Sequence, residues 1–277
     1  MPHPAEQDAR SSLSRGLALL ELFSLTDSEL SVSEMARRAK MPKSTTHRLV
    51  NDLLRWGALE RGRTGIRLGV RLFEFGSLVP GRATLRELAA PFSHALGKAT
   101  GLTSNLGVRE GDEVIYLEKI ASRDLPVPHS RLGGRLPLHC TALGKAILAY
   151  DDAGPAVALP PAPLVPLTPW TITSRARLET ELDRVRRRGG VAFDLEESRR
   201  GMFCVGAPVF APSGRVVGAL SVTGSTSLGA TSLGEAEPVA RAVLAAARAL
   251  TRALGSHRRS PPTRYAGRQL ARQVSTA

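Results

Sequence analysis

The chain has 277 residues, 42% hydrophobic and 23% charged, which supplies packed cores and excludes a fibrous or largely disordered protein. Two cysteines, Cys140 and Cys204, exclude a disulfide-built scaffold and a four-cysteine zinc module, and 4% aromatics disfavour a base-stacking single-strand binder. The N-terminal MPHPAEQDAR lacks the apolar core of a signal peptide, and the longest uncharged stretch, Ala153 to Ser174, carries six prolines that a lipid-exposed helix would not satisfy. A soluble cytoplasmic protein without membrane contact is expected.

The net charge of +13 is unevenly placed. Arg37 to Arg71 holds 10 basic residues against Asp52 and Glu60, a net +8 within 35 residues, which suits a phosphate-lined partner. Residues 256–277 carry five arginines and no acid; without apolar periodicity, they read as a disordered basic tail that touches polyanions nonspecifically. Residues 1–11 read as a disordered N-terminus.

Leu13, Leu17 and Leu20, with Ala18, Leu22 and Leu25, form overlapping stripes at helical spacing between about 12 and 25, and Leu19 and Phe23 fill the remaining sides. Such a helix is buried on several faces, either at the centre of a domain or against a partner subunit. Ser31 with Glu34 fits a capping box for a short helix whose Met35, Ala36 and Ala39 turn inward. Pro42 suits the first position of the next helix and Gly57 its end. Leu49, Val50, Leu53 and Leu54 mark the core side of that helix, with Ser44, His47, Arg48, Asn51 and Arg55 opposite. Two helices around a tight turn, the second polar and basic outside, make a helix-turn-helix. Its candidate DNA contacts are Lys43, Ser44, Thr45, Thr46, His47, Arg48 and Asn51, because Arg bridges guanine, Asn bridges adenine, and hydroxyls and first-turn amides take phosphates. A hairpin follows around Gly62-Arg63-Thr64-Gly65, with Leu59, Ile66 and Leu68 inward and Arg61 and Arg67 outward. Residues 12–70 are therefore expected to form a winged helix-turn-helix, its wing bringing Arg63 and Arg67 to the DNA backbone.

Residues 71–100 return to helical spacing and are broken at Pro80-Gly81, the pattern of a helical linker. From 101 the pattern changes. Two alternating strands surround Glu110-Gly111-Asp112, and HCTALGKAILAY is a helix with Thr141 as its cap. After a proline-rich connection a helix runs from about Arg175 to Arg188 and stops at Gly189-Gly190. VAFD, MFCVGAPVF and VVGALSV are strands, and Glu235 to Leu254 is a closing helix. Antiparallel strands flanked by helices make 101–255 an α+β domain.

These motifs together (PKSTTHRL with WGALER, GGRLPLHCTALGKAILA, and GMFCVGAPVF with GRVVGALSVTG) resemble the IclR family of bacterial transcriptional regulators, in order and over about Ser12 to Leu254. The resemblance implies a GAF-like mixed α/β effector domain that binds a small carboxylate, and homodimers or dimers of dimers on double-stranded operator DNA. It places the effector pocket at Asp194, Cys204, Ser221 and Thr223, at the amides of Leu143 and Gly144, and at apolar Leu125, Pro128 and Leu136. Gly206 stands where the family usually has alanine, a departure expected to enlarge or loosen the pocket.

Two rival functions are weaker. His139, Cys140, Cys204 and Asp194 are the residue types of a cysteine enzyme, but neither cysteine stands in a nucleophile turn. TALGKA lacks the glycine and hydroxyl of a phosphate loop, and the six histidines lack metal-ligand spacing, so neither cofactor nor metal is expected. A purely architectural DNA binder would not need 150 residues of α/β domain.

Overall fold

Among the described residues, four helices and a two-stranded hairpin lie within the first of two units in this computed structural model, residues 1–83; residues 84–277 form the second. The structure describes residues 11–24, 26–122, 130–151, 159–228 and 236–257. Leu25, Leu125, Pro128, most of the N-terminal segment and the basic tail beyond His257 lie outside them.

Helix α1 (Ser12–Leu20) starts where the Ser11 hydroxyl accepts the Ser14 N–H at 3.0 Å. It ends at Leu20 rather than near 25, because Ser24 and Asp27 bond to each other in a turn that competes with helix, while Leu22 and Phe23 still pack on the core. In α2 (Val32–Arg38) the Ser31 hydroxyl accepts the Glu34 N–H at 3.1 Å, but only half of the expected capping box forms. The Glu34 carboxylate is drawn instead to Arg37 and Arg38, 2.6 Å from each. Helix α3 (Lys43–Trp56) has Pro42 as its N-cap rather than its first residue, and Gly57 at φ 85° ends it in the left-handed region that favours glycine. Strands β1 (Leu59–Arg61) and β2 (Ile66–Leu68) pair antiparallel, and Leu30 adds two backbone bonds to Ile66, at 2.9 and 2.8 Å. Leu19, Leu30, Met35, Leu49, Val50, Leu59 and Ile66 close the core. Leu68, expected inward, is 43% exposed at the end of β2.

Helix α4 (Arg71–Ser77) buries no residue, and Gly81 at φ 71° precedes α5 (Arg82–Thr100). Leu85, Ala89 and Leu96 of α5 are buried in the core of the second unit. That core is a six-stranded antiparallel sheet in the order β5 (Arg135–Pro137), β4 (Glu113–Ile120), β3 (Thr103–Glu110), β8 (Val216–Ser225), β7 (Met202–Phe210), β6 (Ala192–Leu195). One face packs on α5 and α8 (Glu237–His257) through Leu106, Phe203, Val205, Leu220, Val222, Val243 and Leu250. The other packs on α6 (Ala142–Leu148) and α7 (Arg175–Arg187) through Val114, Tyr116, Leu143, Leu178, Leu182 and Ala219. Strands covered on both faces lose the polar alternation of a half-solvated sheet, and β7 and β8 are buried along most of their length. No helix among the described residues is long and apolar enough to cross a membrane.

Candidate functional site

The first unit presents one face of α3. Lys43, Ser44, His47, Arg48 and Asn51 are exposed there and Thr45 is half-buried. Thr46 does not belong with them: it is fully buried, and its hydroxyl donates to the Pro42 carbonyl at 3.1 Å. No side chain caps α3, so its first-turn N–H groups remain available to a phosphate. Much of the local charge is already neutralised. Arg37 and Arg38 pair with Glu34, Arg38 also with Asp27, Arg55 with Asp52, and Arg67 of the wing donates to Glu60 at 2.6 Å. Lys43, Arg48 and Arg63 have no carboxylate partner among the described residues, and these cations stand on the outer face of α3 and at the wing tip.

The wing tip is held by a residue that the local patterns did not single out. The Glu29 carboxylate accepts the Thr64 hydroxyl at 2.6 Å, the Thr64 N–H at 2.7 Å and the Arg63 N–H at 3.2 Å. These bonds, the Thr64 hydroxyl first, lower the Glu29 pKa to about 2. Gly62 permits the approach, since a Cβ there would lie 2.3 Å from a Glu29 carboxylate oxygen.

In the second unit, the α6-side face of the sheet carries two polar rows. Antiparallel register sets Lys119 opposite Asn105, Asn105 opposite Ser221, and Ser221 opposite Gly206; it also sets Thr103 opposite Thr223, Thr223 opposite Cys204, and Cys204 opposite Asp194. Asn105, Ser221, Thr223, Cys204 and Asp194 are buried, so this strip was taken out of water without being made apolar. Asn105 donates to the Thr223 hydroxyl at 3.2 Å and accepts from Ser130 at 3.4 Å; Cys204 and Thr223 share a contact at 3.1 Å. Among the described residues, one amide N–H and one lone pair of Asn105 stay unused. Ser221, 2% exposed, makes no side-chain hydrogen bond among the described residues, and neither does the Tyr116 hydroxyl. A cavity of about 390 Å³, lined by Tyr116, Ser130, Arg131 and Leu136 among others, meets the strip at Ser130, whose hydroxyl bonds Asn105. Burial raises the Tyr116 pKa, keeping its hydroxyl a donor.

The remaining sequence-derived pocket residues divide. The Gly144 N–H is occupied by Thr141 Oγ1 at 3.0 Å, whereas the Leu143 N–H has no acceptor among the described residues. Asp194 accepts from Glu197 N at 2.8 Å, Ser198 N at 3.2 Å and Ser198 Oγ at 2.5 Å, so its carboxylate fastens the turn at 196–198 instead of standing open. Burial raises the Asp194 pKa, opposed by nearby Lys145. Lys145, 1% exposed on α6, pairs with Glu197, whose pKa burial lifts to about 7. Gly206 does not enlarge the pocket. A Cβ there would lie 2.9 Å from the Ala142 carbonyl carbon and oxygen, because the start of α6 occupies that space. The cysteine chemistry also fails to assemble: His139 Nε2 lies 3.0 Å from the Val165 carbonyl, and burial pushes the Cys140 pKa up to about 12. No group of three metal-binding side chains occurs among the described residues.

Comparison with known proteins adds the following. Residues 12–63 match the model described as the IclR helix-turn-helix domain, and residues 79–252 match the bacterial transcriptional regulator IclR C-terminal model. The HTH-type transcriptional regulator XynR of Escherichia coli (strain K12) is 35% identical over 219 residues, 78% of this chain and 86% of that protein. The DNA-binding transcriptional repressor YiaJ of the same organism is 32% identical over 222 residues, 78% of each. Among solved structures, an IclR homolog complexed with 4-hydroxybenzoate from Microbacterium hydrocarbonoxydans aligns with TM-score 0.78 at 29% identity, covering 89% of this chain and all of that one. The Thermotoga maritima IclR aligns at 0.72 and 30%, covering 88% and 98%.

Proposed function

The chain belongs to the IclR family of bacterial transcriptional regulators, and from that premise we propose that it is a cytoplasmic repressor of a catabolic operon, its operator affinity set by a small organic or aromatic acid in the second unit. The observation that carries the effector half is the buried polar strip, above all Ser221, which is 2% exposed and whose hydroxyl makes no hydrogen bond among the described residues. Leaving a buried polar group unpaired costs about 1–3 kcal/mol, and a ligand carboxylate is what would offset it. The Leu143 N–H and the hydroxyls of Ser221 and Tyr116 supply donors, with Asn105 between them. Asp194 acts at one remove, by holding the turn at 196–198. Arg48 and Asn51 read bases, while Lys43, Arg63 and the first-turn amides of α3 hold phosphates.

Homodimer formation completes the proposal. Leu13 and Leu17 of α1 are 72% and 52% exposed, and Phe73 and Leu78, on and just after α4, are 70% and 74% exposed, more apolar surface than a monomeric domain keeps open. A dimer on a pseudo-palindromic operator follows from that surface. The effector reading is tested by a thermal-shift screen of organic and aromatic acids, repeated on Ser221→Ala combined with Thr223→Val. We expect the double variant to bind the best acid at least about tenfold more weakly and to bind acid-free operator within about twofold of wild type. Unchanged acid affinity would place the pocket elsewhere.

A further inference from the structure

Resting on the reading that this pocket binds an acid, we propose that its ligand is a dicarboxylate, whose second carboxylate is taken by Lys119, with Arg131 beside it, at the β4 end of the polar strip. Lys119 stands directly opposite Asn105 in the β3–β4 register, which puts it in the same row as Ser221. Its ammonium donates to the Ser130 carbonyl at 2.6 Å, and the Ser130 hydroxyl donates to Asn105 at 3.4 Å, so Ser130, which lines the cavity, ties Lys119 to the strip. Ser130 is itself buried.

Lys119 is partly buried and has no carboxylate partner among the described residues. Its sequence neighbour Glu118 stands opposite Leu106, which belongs to the core on the α5 side. Arg131 lines the cavity with Tyr116 and likewise lacks a carboxylate partner. It is fixed there by backbone bonds from Gly134 N to the Arg131 carbonyl and from Gly133 N to the Tyr116 carbonyl, both 2.8 Å. Arg135, the neighbouring cation, is already matched by Glu113 at 3.1 Å. One end of the strip therefore offers neutral donors, and the other two cations lacking a carboxylate counterpart. A partly desolvated ammonium whose one partner among the described residues is a carbonyl gains most from an anion. Lys119 and Ser221 lie two strands apart, about 10 Å between backbones. The lysine side chain shortens that span toward the carboxylate separation of a short-chain or aromatic diacid.

The test compares matched acids on the full chain by calorimetric titration: terephthalate against 4-methylbenzoate, and adipate against hexanoate. In at least one pair the diacid is expected to bind about tenfold or more tightly than the monoacid. Lys119→Met should bring the diacid down to the monoacid's affinity without changing the latter, and Lys119→Arg should preserve the preference. If Lys119→Met fails to fold, the wild-type pairs and Lys119→Arg still decide. Acids that bind without diacid preference, or a Lys119→Met that weakens both kinds alike, would overturn this inference and leave the acid pocket standing. Failure of every acid to bind wild type would overturn both.

Discussion

Arg48 and Thr46 stand two positions apart on α3 and face opposite ways. Arg48 is exposed and unpaired by any described carboxylate, whereas Thr46 turns its methyl into the core and spends its hydroxyl on the carbonyl four residues back. Arg48→Ala should weaken operator binding by about 1–3 kcal/mol and relax preference at one base pair. Thr46→Val should leave that preference unchanged and instead lower thermal stability, by about 1 kcal/mol for the lost bond. Quantitative binding to a randomised operator library checks both; a specificity change in Thr46→Val would contradict this division. The helical period made Arg48 and Asn51 legible in the sequence. Thr46 was misplaced because a threonine reads as polar until its i−4 carbonyl is known to take the hydroxyl. Asp194 was named through the family resemblance alone, and its three bonds to residues 197 and 198 depend on a turn with Glu196 at φ 60°, a conformation no periodicity announces.

At the scale of elements, the wing is only two strands of three residues, too short to hold its tip by pairing alone. Glu29 and Leu30 supply the missing support from the loop before α2. The hairpin was visible from its alternation and its Gly-Arg-Thr-Gly turn; its anchor was not, because Glu29 is 35 residues from Thr64 in the chain and carries no local pattern. The folded pKa of Glu29 is depressed from 4.5 to about 2, so the anchor is complete above pH 4.5, weakens as pH falls through the folded value, and does not vary near neutrality. Glu29→Ala frees the tip and also removes a negative charge beside the DNA. Operator binding should therefore weaken while nonspecific binding at low salt holds or strengthens, so the specificity ratio falls. Equal strengthening on both DNAs would show that Glu29 contributes only charge. In the second unit five of the six strands were likewise readable; β5, at three residues, is too short to show alternation, and the union of Asn105 with Ser221 and Thr223 was not visible. It requires β3 to pair with β8, more than a hundred residues later in the chain.

For the whole molecule, the proposed homodimer rests on the exposed apolar residues of α1 and α4. Leu13→Asp with Phe73→Asp should yield monomers by light scattering at micromolar concentration, with operator binding weakened and acid binding by the second unit retained. A double variant that stays dimeric would move the interface elsewhere. Coupling between effector and DNA then rests on linkage: the acid can shift operator affinity only by its preference for one conformation, typically about 1–3 kcal/mol, and the DNA must shift acid affinity by the same factor.

That reciprocity supplies the most direct measurement. Operator DNA is titrated by fluorescence anisotropy with and without a saturating acid from the screen, and the acid is titrated with and without saturating operator, for wild type and for Ser221→Ala combined with Thr223→Val. In wild type we expect the two affinity shifts to be equal, and in the double variant both should vanish while acid-free operator binding persists. An acid that still shifts operator binding in the double variant, with its own affinity unchanged, would contradict the assignment of the polar strip as the effector site.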